Sequence, residues 1–201
     1  MFDSGISAEK LIDELQNEAD CALPIKNASY VEWLNAAEQM LYSEIIREQK
    51  ELCIAEAESS IVLEGLEHGE NESALRFEDI YAVYYGDRQL IKTNLASGAV
   101  FNYCYYKADN KLCICGGEGE TIRLIYFVRP KLKAVDKDDA VLEGNVMIPP
   151  EFLPMIRAKL RGEAYLLANE YGPASNWLAD YNAQLETFKQ WIDAKAAVFG
   201  L

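Results

Sequence analysis

The chain has 201 residues, and half of them are hydrophobic, which supplies one buried core and argues against a disordered protein. Its formal net charge of −14, from 33 acidic and 19 basic residues, argues against a surface that neutralises DNA phosphates by contact. Charged residues interrupt every apolar stretch before the roughly 18 residues of a membrane span, and the N-terminus shows no secretory signal. We therefore expect a soluble intracellular protein that binds no membrane and no specific nucleic acid.

Apolar residues recur at helical spacing up to about residue 58, which predicts two N-terminal helices. The first runs from Ala8 to about Ala22. The second begins at the capping box Ser29-x-x-Glu32 and runs to Glu58, a length of about 43 Å that would let it pack against neighbouring subunits. The predicted buried stripes of these helices are Leu11, Ile12, Leu15, Leu34, Ala37, Leu41 and Ile45.

Strand-like spacing follows from about residue 59 to residue 148 and predicts a small antiparallel β region. Gly86-Asp87 and Ala108–Asn110 have the composition of hairpin turns between strands. In the last strand, alternation places Ile122, Leu124 and Tyr126 on one face. The predicted strands cover residues 80–85, 89–91, 100–107, 112–115 and 121–128.

Helical spacing returns at about residue 150 and predicts two C-terminal helices that end near residue 199. The third helix spans about Glu151 to Glu170, and Gly172-Pro173 separates it from the fourth. Their predicted buried stripes are Phe152, Ile156, Leu160, Ala164, Trp177, Tyr181, Leu185, Phe188 and Ile192. The whole pattern predicts one α+β domain over residues 1–201, with the β region inserted between helices at about 8–58 and 150–199.

The cysteines predict reduced thiols rather than disulfides or a metal site. There are five, an odd number, at Cys21, Cys53, Cys104, Cys113 and Cys115. Cys113 and Cys115 are two residues apart in a predicted strand, so both thiols lie on the same face. No second Cys or His pair follows at zinc-ligand spacing, so we expect no metal.

The side chains that could act in catalysis, a histidine and several carboxylates, lack the positioned partner residues that a catalytic site requires. His68 is the only histidine and lies in a polar stretch typical of an exposed loop. Carboxylate pairs such as Glu56 and Glu58, or Asp136, Asp138 and Asp139, lie in polar runs that a solvated surface explains. We therefore expect no catalytic residue and no cofactor, and the protein is predicted not to be an enzyme.

Two further features have a structural and a functional interpretation. Gly116, Gly117, Glu118 and Gly119 form a glycine-rich segment without the Lys-Ser/Thr of a phosphate loop, so we interpret it as a flexible hairpin tip. The frequent tyrosines of the β region are either a stacking platform for a ligand or core and interface residues, and the second interpretation is favoured. These tyrosines are Tyr81, Tyr84, Tyr85, Tyr103, Tyr105 and Tyr106.

Five segments follow one another in an order that is typical of a known family. They are Tyr30–Ala37, Phe77–Tyr84, Ile125–Pro130, Ile148–Phe152 and Trp177–Tyr181. In this order of parts the chain resembles the head–tail connector (adaptor) proteins of tailed bacteriophages and prophages, which form a ring under the portal vertex. Ile125–Pro130 is similar to the strand end of that family, a tyrosine followed by a basic residue and proline. The resemblance covers most of the chain.

The resemblance implies a non-enzymatic structural subunit of the virion, present in the cytoplasm of the bacterial host during assembly. It implies a homo-oligomeric ring of about a dozen copies that binds the portal protein at one end and a tail-completion protein at the other. DNA passes through such a ring, and the net charge of −14 suits a lumen to which DNA does not adhere. The alternative is a bacterial α+β protein that binds a ligand or peptide on its tyrosine-rich sheet.

The end of the chain also has two interpretations. Ala197, Val198, Phe199, Gly200 and Leu201 form an apolar tail, which in a connector ring would be a docking peptide for the portal. The other interpretation is a final helical turn that folds back onto the core.

Overall fold

The computed structural model describes residues 2–18, 24–49, 54–59, 80–93, 103–108, 111–115, 122–127, 129–142 and 144–199. The chain forms two compact units, one from residues 1–52 with 129–201 and the other from residues 53–128. The first carries the helices and the second the named strands, which confirms the predicted α+β class. That one domain spans residues 1–201 stays a prediction.

The helical unit is built from four α-helices in the part of the chain that the structure describes. They are α1 (Ala8–Glu18), α2 (Asn27–Gln49), α3 (Leu153–Leu167) and α4 (Tyr171–Phe199), with a 3₁₀ turn at Pro150–Phe152 before α3. The helical spacing of the sequence identified much of the core correctly. Predicted stripe residues that are buried are Leu11, Ile12, Leu15, Leu34, Ala37, Leu41, Ile45, Phe152, Ile156, Leu160, Ala164, Tyr181, Phe188 and Ile192.

The second helix ends earlier than predicted. α2 stops at Gln49, and Ile54–Ser59, predicted as helix, forms strand β1. β1 pairs antiparallel with β7 (Ile122–Phe127) over its whole length. Alanine and glutamate favour a helix locally, but that preference is weak and pairing along an entire strand outweighs it. The prediction of a helix to Glu58 is therefore wrong.

The corner between the C-terminal helices also differs from the prediction. α3 ends at Leu167 rather than near Glu170, and Gly172-Pro173 lies inside the first turn of α4. The chain reverses at Asn169, whose φ of 60° is left-handed, a conformation that asparagine tolerates better than most residues. Proline is accommodated in a first helical turn because its missing N–H has no partner there.

Gly162 lets α3 and α4 approach each other closely. It is buried in α3, and a Cβ atom at this position would lie 2.6 Å from Leu178 Cδ2 and 2.7 Å from Leu178 Cγ. Both distances are far shorter than van der Waals contact, so Leu178 or the helices would have to move.

We expect Gly162→Ala to lower the free energy of unfolding by about 1–3 kcal/mol, because overpacking outweighs the helix preference of alanine. The control is Gly172→Ala in α4, where an added Cβ meets no atom within 4 Å and stability should stay within about 0.5 kcal/mol. Urea unfolding followed by circular dichroism measures both. Equal stability of the two variants would contradict a close helix contact at Gly162.

The β unit contains two sheets in the described residues. The first has the strand order β1-β7-β2-β3, with β2 at Ile80–Tyr85 and β3 at Arg88–Gln89. The second has the order β4-β5-β6 and consists of Ile91–Lys92, Cys104–Ala108 and Lys111–Cys115. The pairs in the first sheet are antiparallel, and in the second β4 and β5 are parallel.

Two of the predicted hairpins form. A third, with its tip at Gly116–Gly119, is wrong, because β6 and β7 on either side of that segment belong to different sheets. Gly86-Asp87 joins β2 to β3, and the φ of 57° at Gly86 is the left-handed conformation that a two-residue turn requires. β5 pairs with β6 in the predicted hairpin. The apolar face of β7 is also as predicted, with Ile122, Leu124 and Tyr126 in one cluster. The buried members of that cluster are Ile80, Val83, Tyr85, Leu90, Tyr105 and Leu124.

Candidate functional site

Several predicted features lie outside the residues that the structure describes. These are His68, the glycine-rich segment Gly116–Gly119, and Gly200 with Leu201. Ala197, Val198 and Phe199 are the last residues of α4. Their role in docking stays a prediction.

No group of His, Cys, Asp and Glu in the described ranges is arranged to hold a metal ion. No helix among those residues has the length and hydropathy that a membrane span requires.

The tyrosines of the β unit are mostly occupied by packing. Tyr85 and Tyr105 are buried in the core cluster. Tyr103 lies under the Arg88 guanidinium at 3.9 Å, and Tyr84 lies under that of Arg123 at 4.5 Å. Such stacking occupies the ring faces that a planar ligand would need. These contacts favour the core interpretation of the tyrosines over the stacking platform.

Residues 131–142 form a short hairpin on the surface of the helical unit. Val135 and Val141 form an antiparallel bridge, and the Leu142 N–H donates to the Ala134 carbonyl at 2.9 Å. At its tip the Asp136 carboxylate accepts the N–H groups of Asp138 and Ala140 at 2.8 and 3.0 Å. The sequence indicated only a polar run around Asp136, Asp138 and Asp139, so the ordered hairpin is a finding of the structure.

Asp139 fixes the tip of this hairpin to the start of α2. Its two carboxylate oxygens accept the N–H groups of Asn27 and Ala28, each at 2.9 Å. The Asn27 side chain in turn donates to the Asp139 carbonyl at 2.8 Å. A carboxylate at this position accepts hydrogen bonds from the free N–H groups of the first helical turn. Its negative charge also interacts favourably with the positive end of the helix dipole. The predicted capping box at Ser29 is therefore wrong, because α2 begins two residues earlier and is capped from the distant hairpin.

Asn35, about two turns further along α2, fixes the backbone of the hairpin. Its side-chain amide donates to the Lys133 carbonyl at 2.8 Å, and its side-chain oxygen accepts the Lys133 N–H at 2.9 Å. The asparagine side chain thus bonds the backbone N–H and the carbonyl of one residue, as a neighbouring β-strand would. The first strand of the hairpin is thereby attached to α2.

Glu38 and Lys133 form a buried ion pair under the hairpin. Only 1% of either side chain is exposed, and Lys133 Nζ donates to Glu38 Oε2. The other oxygen, Oε1, accepts the Met147 N–H at 2.8 Å. Burial raises the pKa of Glu38, opposed by the Lys133 ammonium, and burial lowers the pKa of Lys133, opposed by the Glu38 carboxylate.

The opposite face of the hairpin is apolar and open to solvent. Leu132, Ala134 and Leu142 lie on one side, because Ala134 is opposite Leu142 and side chains two residues apart share a face. Leu132 is 60% exposed and Leu142 is 48% exposed. We call Leu132 and Leu142 the hairpin patch. Polar contacts on the buried side therefore hold two exposed leucines on a fixed backbone.

A second group of exposed apolar side chains lies at the corner between α3 and α4. It consists of Leu166, Leu167 and Tyr171, which are 37%, 53% and 66% exposed. We call these residues the helix-corner patch. Isolated exposed leucines are common on protein surfaces, whereas contiguous exposed apolar groups are the ones that mark binding surfaces.

The sequence matches no protein-family model, and no curated protein is significantly similar to it.

We expect Asp139→Asn to lower the free energy of unfolding by about 1 kcal/mol, because it removes the charge and one of the oxygens that cap α2. Asparagine is chosen because Asp139 has a φ of 65°, which asparagine tolerates. Asp138→Asn is the control. The Asp138 carboxylate is next to Asp139 in the chain and is exposed, so removing its charge should change the free energy of unfolding by less than about 0.5 kcal/mol. Thermal and urea unfolding compare the two, and equal losses would contradict the capping role.

We expect Lys133→Met to destabilise the protein by about 3–5 kcal/mol, because it leaves the Glu38 carboxylate buried without its cation. The double variant Glu38→Gln/Lys133→Met should recover most of that loss, since glutamine keeps an oxygen for the Met147 N–H. A double-mutant cycle measured by urea unfolding tests this. Additive losses from the two single variants would contradict the pairing.

Lys133→Met should also make stability depend on pH. Without the ammonium group the pKa of Glu38 in the folded protein lies further above that in the unfolded chain, so the folded state binds the extra proton. Stability is then present at acidic pH and is lost as pH rises through the folded pKa. Unfolding of this variant across a pH series, compared with the double variant, measures the effect.

Proposed function

We propose that this protein is a non-enzymatic structural subunit of a phage or prophage head–tail connector ring, which joins the portal to the tail. The ring contains about a dozen copies, and its location is the virion. The observation that carries the proposal is the hairpin patch, two exposed leucines held in place by a buried network of polar contacts.

The hairpin patch suits contact between copies because its backbone is ordered before binding. Asp139 of the hairpin accepts the Asn27 N–H at the start of α2. From α2, Asn35 bonds the Lys133 carbonyl and Glu38 accepts the N–H of Met147, which follows the hairpin. A surface that is already ordered loses little conformational entropy on association, so the burial of its apolar side chains contributes directly to affinity. The helix-corner patch gives the same unit a second apolar surface, as a ring subunit needs for its two different neighbours.

The charge of the chain supports passage of DNA rather than its capture. With 33 acidic and 19 basic residues, the summed field of each copy repels phosphate. A ring of such subunits would let DNA slide through without adhering to the wall.

The alternative, ligand or peptide binding on the tyrosine-rich sheet, has less support. Of the tyrosines in that region, Tyr81 is exposed, at 43%, and its ring contacts Phe127 at 5.7 Å. The others are buried or partly buried. A stacking platform needs several open ring faces.

Light scattering after size exclusion, at several protein concentrations, tests the proposal. We expect growth from monomer to a closed species of about a dozen copies, seen as rings by electron microscopy. If the protein stays monomeric at all concentrations, the measurement is repeated with the portal protein of the same phage or prophage. A monomer in both cases would overturn the proposal and favour the ligand-binding alternative.

The double variant Leu132→Ser/Leu142→Ser tests the hairpin patch itself. We expect its association to weaken by about tenfold or more, because each truncated apolar anchor costs about 1–2 kcal/mol of binding. Lys137→Ser, an exposed change at the tip of the same hairpin, is the control and should associate like the unchanged protein. Unaltered association of the double variant would place the contact between copies elsewhere.

A further inference from the structure

Three of the cysteines lie on one face of the β5–β6 hairpin. In this antiparallel pair Cys104 lies directly opposite Cys115, and Cys113 lies opposite Tyr106. Residues that are opposite each other in an antiparallel pair point to the same side of the sheet, as do residues two apart in one strand. The other face, with Tyr105 and Ile114, belongs to the core cluster of the unit. The thiols are thus gathered on the side away from that cluster.

The register of β5 and β6 places one pair of cysteines at a Cα–Cα distance that a disulfide can span. Directly opposite residues have Cα atoms about 4.5–5.5 Å apart, which lies within the range of about 4.4–6.8 Å that disulfides span. Cys104 and Cys115 meet this requirement. Cys113 is diagonal to Cys104, at a typical Cα separation of about 7–8 Å, which is too far for a bond without backbone movement.

The side-chain contacts agree with this selection. Burial and then Cys104 are the main causes that raise the pKa of the Cys115 thiol, whereas Cys113 is the main cause that raises the pKa of the Tyr106 hydroxyl. Cys104 is fully buried and Cys115 is partly exposed. An incoming oxidant therefore reaches Cys115 first, and Cys104 is already beside it. Burial and the contact with Cys104 raise the pKa of Cys115, so its reaction should accelerate as pH rises.

We propose that Cys104 and Cys115 are a redox modification site that forms a reversible disulfide across β5 and β6 when the protein meets a low-molecular-weight disulfide. The Cys115 thiolate attacks the oxidant RSSR, which forms a mixed disulfide and releases one RS⁻. Cys104 then attacks the sulfur of Cys115 and releases the second RS⁻. Two thiols lose two electrons and two protons, and the oxidant becomes two RSH. A reducing cytosol keeps the thiols free, and an oxidising environment closes them.

Oxidised glutathione and the full-length chain, in native buffer, test the proposal. After oxidation the protein is denatured and treated with an alkylating agent, and its mass is measured. The chain has five cysteines, so the reduced protein should take five alkyl groups and the oxidised protein three. Trypsin, which cuts after Lys107, Lys111 and Arg123, should then yield two peptides joined by a disulfide, one containing Cys104 and the other containing both Cys113 and Cys115.

Matched serine variants identify the sulfurs. Cys113→Ser should still lose two alkylatable thiols on oxidation, whereas Cys104→Ser should lose none to an internal disulfide and should retain a glutathione adduct at Cys115. A disulfide that contains Cys113, or five alkylatable thiols after oxidation of the folded chain, would overturn the proposal. So would a stable glutathione adduct at Cys115 while Cys104 is present, because it would show that Cys104 does not attack.

Discussion

Burying a carboxylate beside an ammonium group costs several kcal/mol of hydration for each ion, so both charges must be satisfied completely. In the helical unit Glu38 meets Lys133 with one oxygen and the Met147 N–H with the other. The pair therefore requires the first strand of the 131–142 hairpin and the chain after the hairpin to meet α2 at one point. A shift of the hairpin along α2 would leave a buried charge unpaired, and this constraint gives the exposed leucines above it a fixed position.

The sequence predicted those parts of the fold that depend on neighbours in the chain. Helical spacing identified the buried stripe through Leu34, Leu41 and Ile45, and two-residue alternation identified the inner face of β7. Glu38 lies four residues after Leu34, so a charged residue within an apolar stripe was the available signal of a buried ion. Its partner was not predictable, because Lys133 is separated from Glu38 by 95 positions and lies in a segment of ordinary surface composition.

The errors and the gaps have the same physical origin. β1 has a local preference for helix, and only its pairing with β7, far along the chain, makes it a strand. Asp139 caps the start of α2. In the sequence it lies in a charged run, so it could not be distinguished from an ordinary exposed residue. The hairpin patch was missed for a similar reason, since two leucines among lysines and aspartates form no periodic pattern. Of the proposed redox pair, the sequence identified both cysteines, but their opposition follows from the register of β5 and β6.

The pairing of β1 with β7 affects where recombination or protein design can alter the chain. Ile54 lies opposite Phe127, so the strand that enters the β unit and the strand that leaves it are neighbours at that end. Ile54 and Phe127, near the two ends of the β unit, are therefore close in space, as the ends of an inserted domain are in proteins that carry one. An entering strand that is paired with the leaving strand makes the β unit a segment that recombination or design can exchange between residues 54 and 127.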